Sequence, residues 1–261
     1  MSRFGHLEFE DRQTRQKQPE LPSHTGTAIQ TADSLLERAN DEYRWGRFEM
    51  ALRLFTRCLE EDRTRVRAWV GQVQMLVQLQ EHHEARMWAD KALELFRNNG
   101  ELLAAKAQAC ARVGDKRPAY VCSDLSMQAS GSSPYRWQVR GEVLLASKEK
   151  TFDACFKRSL AEPEADWFDR DVIASTYLYY GKAASALDFA SQAAEMHPQS
   201  GYAWFILGLC QKQLGLPKPT VRTSFEKCLQ LRGDYVEARH ALVALDSESL
   251  LRRLMHRLGR G

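Results

Sequence analysis

The 261-residue sequence has no uninterrupted apolar run approaching the roughly 18 residues that a membrane span requires. No stable membrane insertion is therefore expected. The stretch from Met1 to Glu10 has no apolar h-region, which makes export by a signal peptide unexpected and a cytoplasmic location the expectation. Charge of one sign is also scarce: 37 Lys and Arg oppose 34 Asp and Glu, for a net +3. The small excess sits at the end, where Arg252, Arg253, Arg257 and Arg260 face only Glu248. A neutral body argues against a nucleic-acid partner, because phosphate binding needs a basic face. The six cysteines form no C-x-x-C pair and most lie among apolar residues, so they are expected to act as small core residues in a reducing compartment. No phosphate-binding glycine loop, H-E-x-x-H or G-x-S-x-G occurs. Glu81, His82, His83 and Glu84 share one turn, where adjacent histidines cannot point at a single metal. Asp169 and Asp171 suit the start of a helix better than a catalytic pair. No cofactor or metal is expected, and the chain reads as non-enzymatic.

What the sequence does have is periodicity. Residues 1–31 are polar, carry Pro19, Pro22 and Gly26, and read as a flexible N-terminal arm. From Thr31 onward, apolar and small residues recur at i, i+3, i+4 and i+7, the signature of amphipathic helices. Breaks at Trp45-Gly46, Gln80-Glu81, Gly114-Asp115, Ser147-Lys148, Tyr180-Gly181 and Leu214-Gly215 are spaced about 34 residues apart, and a second set falls midway. Helix, turn, helix, turn at this period predicts an array of helical hairpins.

The array resembles the tetratricopeptide repeat. Trp204, Leu207, Gly208, Phe225 and Cys228 mark its clearest copy; Ala174, Tyr177, Gly181, Ala186, Ala190 and Pro198 mark the one before it. Weaker copies carry Trp69, Ala85 and Ala89; Ala39, Gly46 and Phe55; Ala107, Gly114 and Ala119; and Trp137, Gly141 and Phe156. Six copies are read at 32–65, 66–99, 100–133, 134–166, 167–200 and 201–235. The expected fold is all-α, a right-handed superhelix (an α-solenoid) of these hairpins. Capping helices follow over 236–261, with a break at Asp246 or Ser247. One hairpin cannot bury its apolar face alone, so successive copies share a core.

The resemblance implies that the first helix of each copy lines a concave groove that takes a peptide or protein partner. Its inward positions are aromatic in copies four to six, where Tyr135, Phe168, Tyr179, Tyr202 and Phe205 join Leu209, and polar in copies one to three, with Arg44, Arg67 and Arg112. These nine residues are the expected site, an apolar pocket with basic contacts at its other end. A known mode of the family grips a C-terminal carboxylate with Lys and Asn. Asn40 fits it, but Leu36, Gly71 and Ala105 do not, so that clamp is absent. Phe4, Leu7 and Phe9 of the arm and the basic C-terminal helix are further candidate contacts. The implied function is an adaptor or scaffold for a multiprotein complex. Alternatives are an assembly chaperone for a secretion, pilus or motility apparatus, an RNA-binding helical repeat, and self-association.

Overall fold

The computed structural model describes residues 31–258, with side chains as far as Ser247. The expected arm contacts of Phe4, Leu7 and Phe9 therefore lie outside the described residues, as do the side chains of the basic C-terminal stripe. The described secondary structure is all helical. The helices are α1 (Ala32–Arg44), α2 (Phe48–Glu61), α3 (Val66–Gln78), α4 (His82–Leu95), α5 (Gly100–Val113), α6 (Lys116–Gln128) and α7 (Pro134–Ala146). They continue as α8 (Phe152–Leu160), α9 (Trp167–Tyr179), α10 (Ala183–Met196), α11 (Gly201–Gln213), α12 (Lys218–Leu231) and α13 (Val236–Leu258).

The hairpin turns follow from local chemistry. Each of the six turns between the helices of a pair holds one left-handed residue: Gly46, Gln80, Gly114, Lys148, Gly181 and Gly215. These are the positions of the periodic breaks in the sequence. Between hairpins, Asn99, Ser133, Asp166 and Ser200 cap the helices that follow by accepting hydrogen bonds from their first-turn amides.

Consecutive helices pack along the chain, and the odd-numbered helices also pack on one another from α1 to α11. The odd helices thus form an inner layer, and each even helix lies outside, wedged between its own partner and the next hairpin. This is an all-α helical-repeat superhelix. Rings fill the wedge at points where the opposite backbone is bare. A Cβ on Gly141 of α7 would stand 2.6 Å from the Phe156 ring of α8, so the close approach requires glycine. All six cysteines are buried and unpaired, and burial pushes the Cys110 thiol up to about 11.

At the C-terminus the expected break does not occur. Ser247 does not cap a new helix; its hydroxyl donates to the Ala244 carbonyl 2.9 Å away, a bond a serine makes from within a continuous helix. The two segments expected there are one helix, α13.

Candidate functional site

The superhelix curves until its first hairpin meets its last two. The turn after α1 carries Tyr43, Arg44, Trp45, Gly46 and Phe48 into the array's far end. The Tyr43 ring meets Phe168 edge-on at 4.9 Å, and Phe48 meets Tyr202 edge-on at 5.6 Å. Arg44 donates to the Asp166 carboxylate at 2.6 Å and lies over the Trp167 ring at 4.9 Å and Phe168 at 5.2 Å. Arg232 donates to the Trp45 carbonyl at 2.7 Å. Gly46, at φ +69°, presses on Tyr202 so closely that a Cβ would stand 2.5 Å from the ring. Both its backbone angle and this contact call for glycine.

Inside the ring so formed, the inner helices carry a buried polar network. Arg112 and Glu142 form an ion pair whose side chains are 7% and 1% exposed. Gln108 donates to Glu142 at 2.8 Å and accepts from the Tyr135 hydroxyl at 2.9 Å; the Tyr180 hydroxyl donates to Glu142 at 3.3 Å. The Arg112 guanidinium also stacks on Tyr179 at 3.7 Å. Asp171 of α9 is fully buried, and neither of its oxygens has a hydrogen-bond partner among the described residues. Burial raises its pKa well above the ordinary carboxylate range.

Beside the closure an open cleft of about 870 Å³ remains. Its lining brings Phe48, Val77 and Leu79 of the first two hairpins together with Leu178, Tyr179, Tyr202, Phe205 and Leu209 of the last two. Lys212, Gln213, Glu49 and Glu237 add polar and charged groups to its lining. Tyr179 is 45% exposed, and Leu178 and Leu209 are half-buried. His82 meets Tyr179 edge-on at 6.1 Å. Among the described residues no group of three or more His, Cys, Asp or Glu gathers as a metal site, and no helix is long and apolar enough to cross a membrane.

The nine expected site residues divide into several groups. Tyr179, Tyr202, Phe205, Leu209 and Arg112 do line one cleft. The expectation of solvent-facing rings needs correction at Phe168, Tyr202 and Phe205, which are 7%, 5% and 9% exposed. Phe168 and Tyr202 are covered by Tyr43 and Phe48 from across the ring, and Phe205 packs edge-on against Tyr235 at 4.7 Å. Arg112 is neutralised by Glu142, and Arg44 is engaged by Asp166, so neither cation stands open. Tyr135 is half-buried in the polar network. Arg67 is exposed and lies outside this cleft. Sequence reasoning missed Phe48, Trp45, Asp166 and His197. The available signal was three large aromatics, Tyr43, Trp45 and Phe48, at a turn where polar residues usually sit.

A stack of helical hairpins in two layers, closed on itself around a polar centre, defines the class: a helical-repeat scaffold. A tetratricopeptide-repeat family model matches residues 36–100. That sequence match falls on the first two hairpins, and hairpins of the same build continue to α12. Solved structures agree in fold. A thermophilic tetratricopeptide-repeat protein of Thermus thermophilus, TTC0263, superposes at TM-score 0.54 with 19% identity, over 71% of this chain and 100% of its own. A tetratricopeptide repeat protein of Parabacteroides merdae gives 0.53 with 14% identity, over 82% and 84%. The Cut9–Hcn1 hetero-tetramer of the APC/C gives 0.51 with 15% identity over 84% of this chain, which spans 43% of that longer chain. No curated protein matches the sequence. The repeat class is one of protein–protein interaction scaffolds and is generally without catalysis.

Proposed function

We propose that the protein is a non-enzymatic cytoplasmic adaptor that holds a partner protein by a short apolar segment seated in the cleft of Tyr179 and Leu209, and so supports a multiprotein assembly. One observation carries this reading. A chain that buries Phe168, Tyr202 and Phe205 leaves Tyr179, Leu178 and Leu209 facing an open cleft of about 870 Å³. Concave apolar surface of this kind is where partners dock. Arg112 adds no free charge, because Glu142 cancels it.

The test uses exposed Tyr179 and half-buried Leu209, because truncating the buried rings would cost more stability. Wild type and Tyr179→Ala/Leu209→Ser are used to capture partners from the native host's extract, and both are checked by circular dichroism and thermal melting. The expected result is a protein recovered by wild type and lost by the variant, with helicity and Tm unchanged. A partner that stays in the finished complex marks a scaffold; one released on assembly marks a chaperone. Recovery of RNA, weakening steeply with salt, would replace the reading with nucleic-acid binding. Equal recovery by a folded variant would move the site out of the cleft.

A further inference from the structure

The closure surface is separate from the cleft and is itself built as a receptor. We propose that Asp166, Trp167, Phe168, His197 and Arg232 form a docking surface for a partner segment that carries an arginine between aromatic residues. The chain's own turn, Tyr43–Phe48, occupies this surface in cis and is displaced when a partner presents such a segment.

The receiving groups are fixed by their own hairpins, not by the turn that sits on them. Asp166 caps α9: one carboxylate oxygen accepts from the Phe168 amide at 2.8 Å, while the Asp166 amide donates to Asp169 at 2.8 Å. Its other oxygen is left for Arg44. Trp167 is held flat against His197, with ring centroids 4.4 Å apart and planes 10° from parallel. A surface organised in this way needs little ordering on binding.

Its chemistry selects arginine. A planar guanidinium can meet a carboxylate with its edge and aromatic rings with its face, as Arg44 does here; a lysine ammonium cannot do both. The flanking aromatics are read by Phe168, which takes the edge of Tyr43, and by His197, which meets Trp45 at 6.5 Å.

The contact is made to be exchanged. The first hairpin meets α9 and α11 through ring edges, the Arg44–Asp166 ion pair and the Trp45 carbonyl that Arg232 holds. Arg44 and Asp166 remain 34% and 41% exposed, and a space of about 200 Å³ bounded by Asp41, Trp45 and His197 stays open beside them. A tethered occupant has a high effective concentration, so a free segment competes only when it brings further contacts. The neighbouring cleft, whose wall includes Phe48 of the same turn, is where such contacts are available.

The experiment needs no identified partner. A fluorescent peptide with the sequence of residues 41–50 is titrated against wild type and against Arg44→Glu/Trp45→Ala, in which the cis occupant is weakened. The variant is expected to bind the peptide at least about tenfold tighter than wild type, because competition is relieved. Adding Asp166→Asn to the variant removes the charge yet keeps a good helix cap, and is expected to abolish the gain. A peptide carrying Glu at the position of Arg44 is expected not to bind. Should the double variant fail to fold, Arg44→Ala alone serves, since that side chain is half-exposed. Equal affinity for wild type and variant, or no binding by a folded variant, overturns the proposal. So does concentration-dependent dimerisation of wild type that Asp166→Asn removes, which would assign the surface to a second copy. Neither result depends on the partner capture that tests the cleft.

Discussion

Two kinds of contact hold this molecule together, and they differ in what they bury. Between neighbouring helices the packing is dry and close. Phe156 presses on the bare backbone at Gly141, and Phe225 and Cys228 of α12 are fully buried. Across the closure, residues more than a hundred positions apart meet through half-exposed ions and ring edges, with Trp45 still 40% open to water. The first kind builds the array as any repeat array is built, neighbour on neighbour. The second is more like an interface between two proteins that happen to share a chain. If that distinction is right, core truncation and closure truncation should differ by several-fold in cost. Phe156→Ala should destabilise by about 3–5 kcal/mol, read from the urea midpoint, because it empties a fully enclosed ring site. A loss below about 1 kcal/mol would mean the wedge collapses freely and is no tighter than the closure.

Asp171 sharpens the comparison from the other side. It lies in the dry array, yet it is the kind of group that the closure tolerates and a core does not. With its oxygens unpartnered and its pKa raised by burial, the folded state holds a proton that the unfolded chain releases above about pH 3.9. Because the folded state binds more protons, this group's contribution to stability is fully present below that pH and is lost as pH rises toward the folded-state pKa. Asp171→Leu should therefore stabilise the protein at pH 7, by about 1–3 kcal/mol, and the gain should shrink toward pH 4. Urea titrations at the two pH values check it. A variant less stable than wild type at pH 7 would show that the carboxylate is ionised and held by a partner.

The array was legible in the sequence because it depends on contacts between neighbours. The left-handed turn residues repeat at the periodic breaks, even where Gln80 and Lys148 stand in place of glycine. Alanines and glycines at helical spacing announced which faces approach closely. The closure was not legible. Whether the first hairpin reaches the fifth depends on small rotations summed over every hairpin between them, and no local pattern encodes that sum. Of the nine expected residues, Tyr179, Tyr202, Phe205, Leu209 and Arg112 share one cleft, while Arg44, Arg67, Tyr135 and Phe168 lie outside its lining. Phe168 and Tyr202 face inward and are covered by Tyr43 and Phe48, whose own role is visible only once the ring is closed. Arg112 looked like a free cation because Glu142, 30 residues later, had no pattern linking it to that position.

The smallest expected effect is the one that decides what the closure is. Arg44→Ala removes the ion pair with Asp166 and the guanidinium from Trp167 and Phe168. Both ions are more than a third exposed, so solvent screens the pair, and the loss of global stability should be about 0–1 kcal/mol. Local opening should nevertheless increase. The amides of Gly46 and Arg47, which bond the Tyr43 and Glu42 carbonyls at 2.9 and 2.8 Å, should exchange hydrogen faster while those of α7 and α11 keep their rates. Small-angle scattering should show a larger radius of gyration at nearly unchanged Tm. If Arg44→Ala instead costs as much as Phe156→Ala and leaves exchange uniform, the closure unfolds only with the array. The first hairpin would then be part of one indivisible core, and a partner would have to bind the ring as it stands. A large local effect at small global cost means that the ring opens as a unit. In that case the array keeps its fold while the surface of Asp166 and Trp167 becomes available.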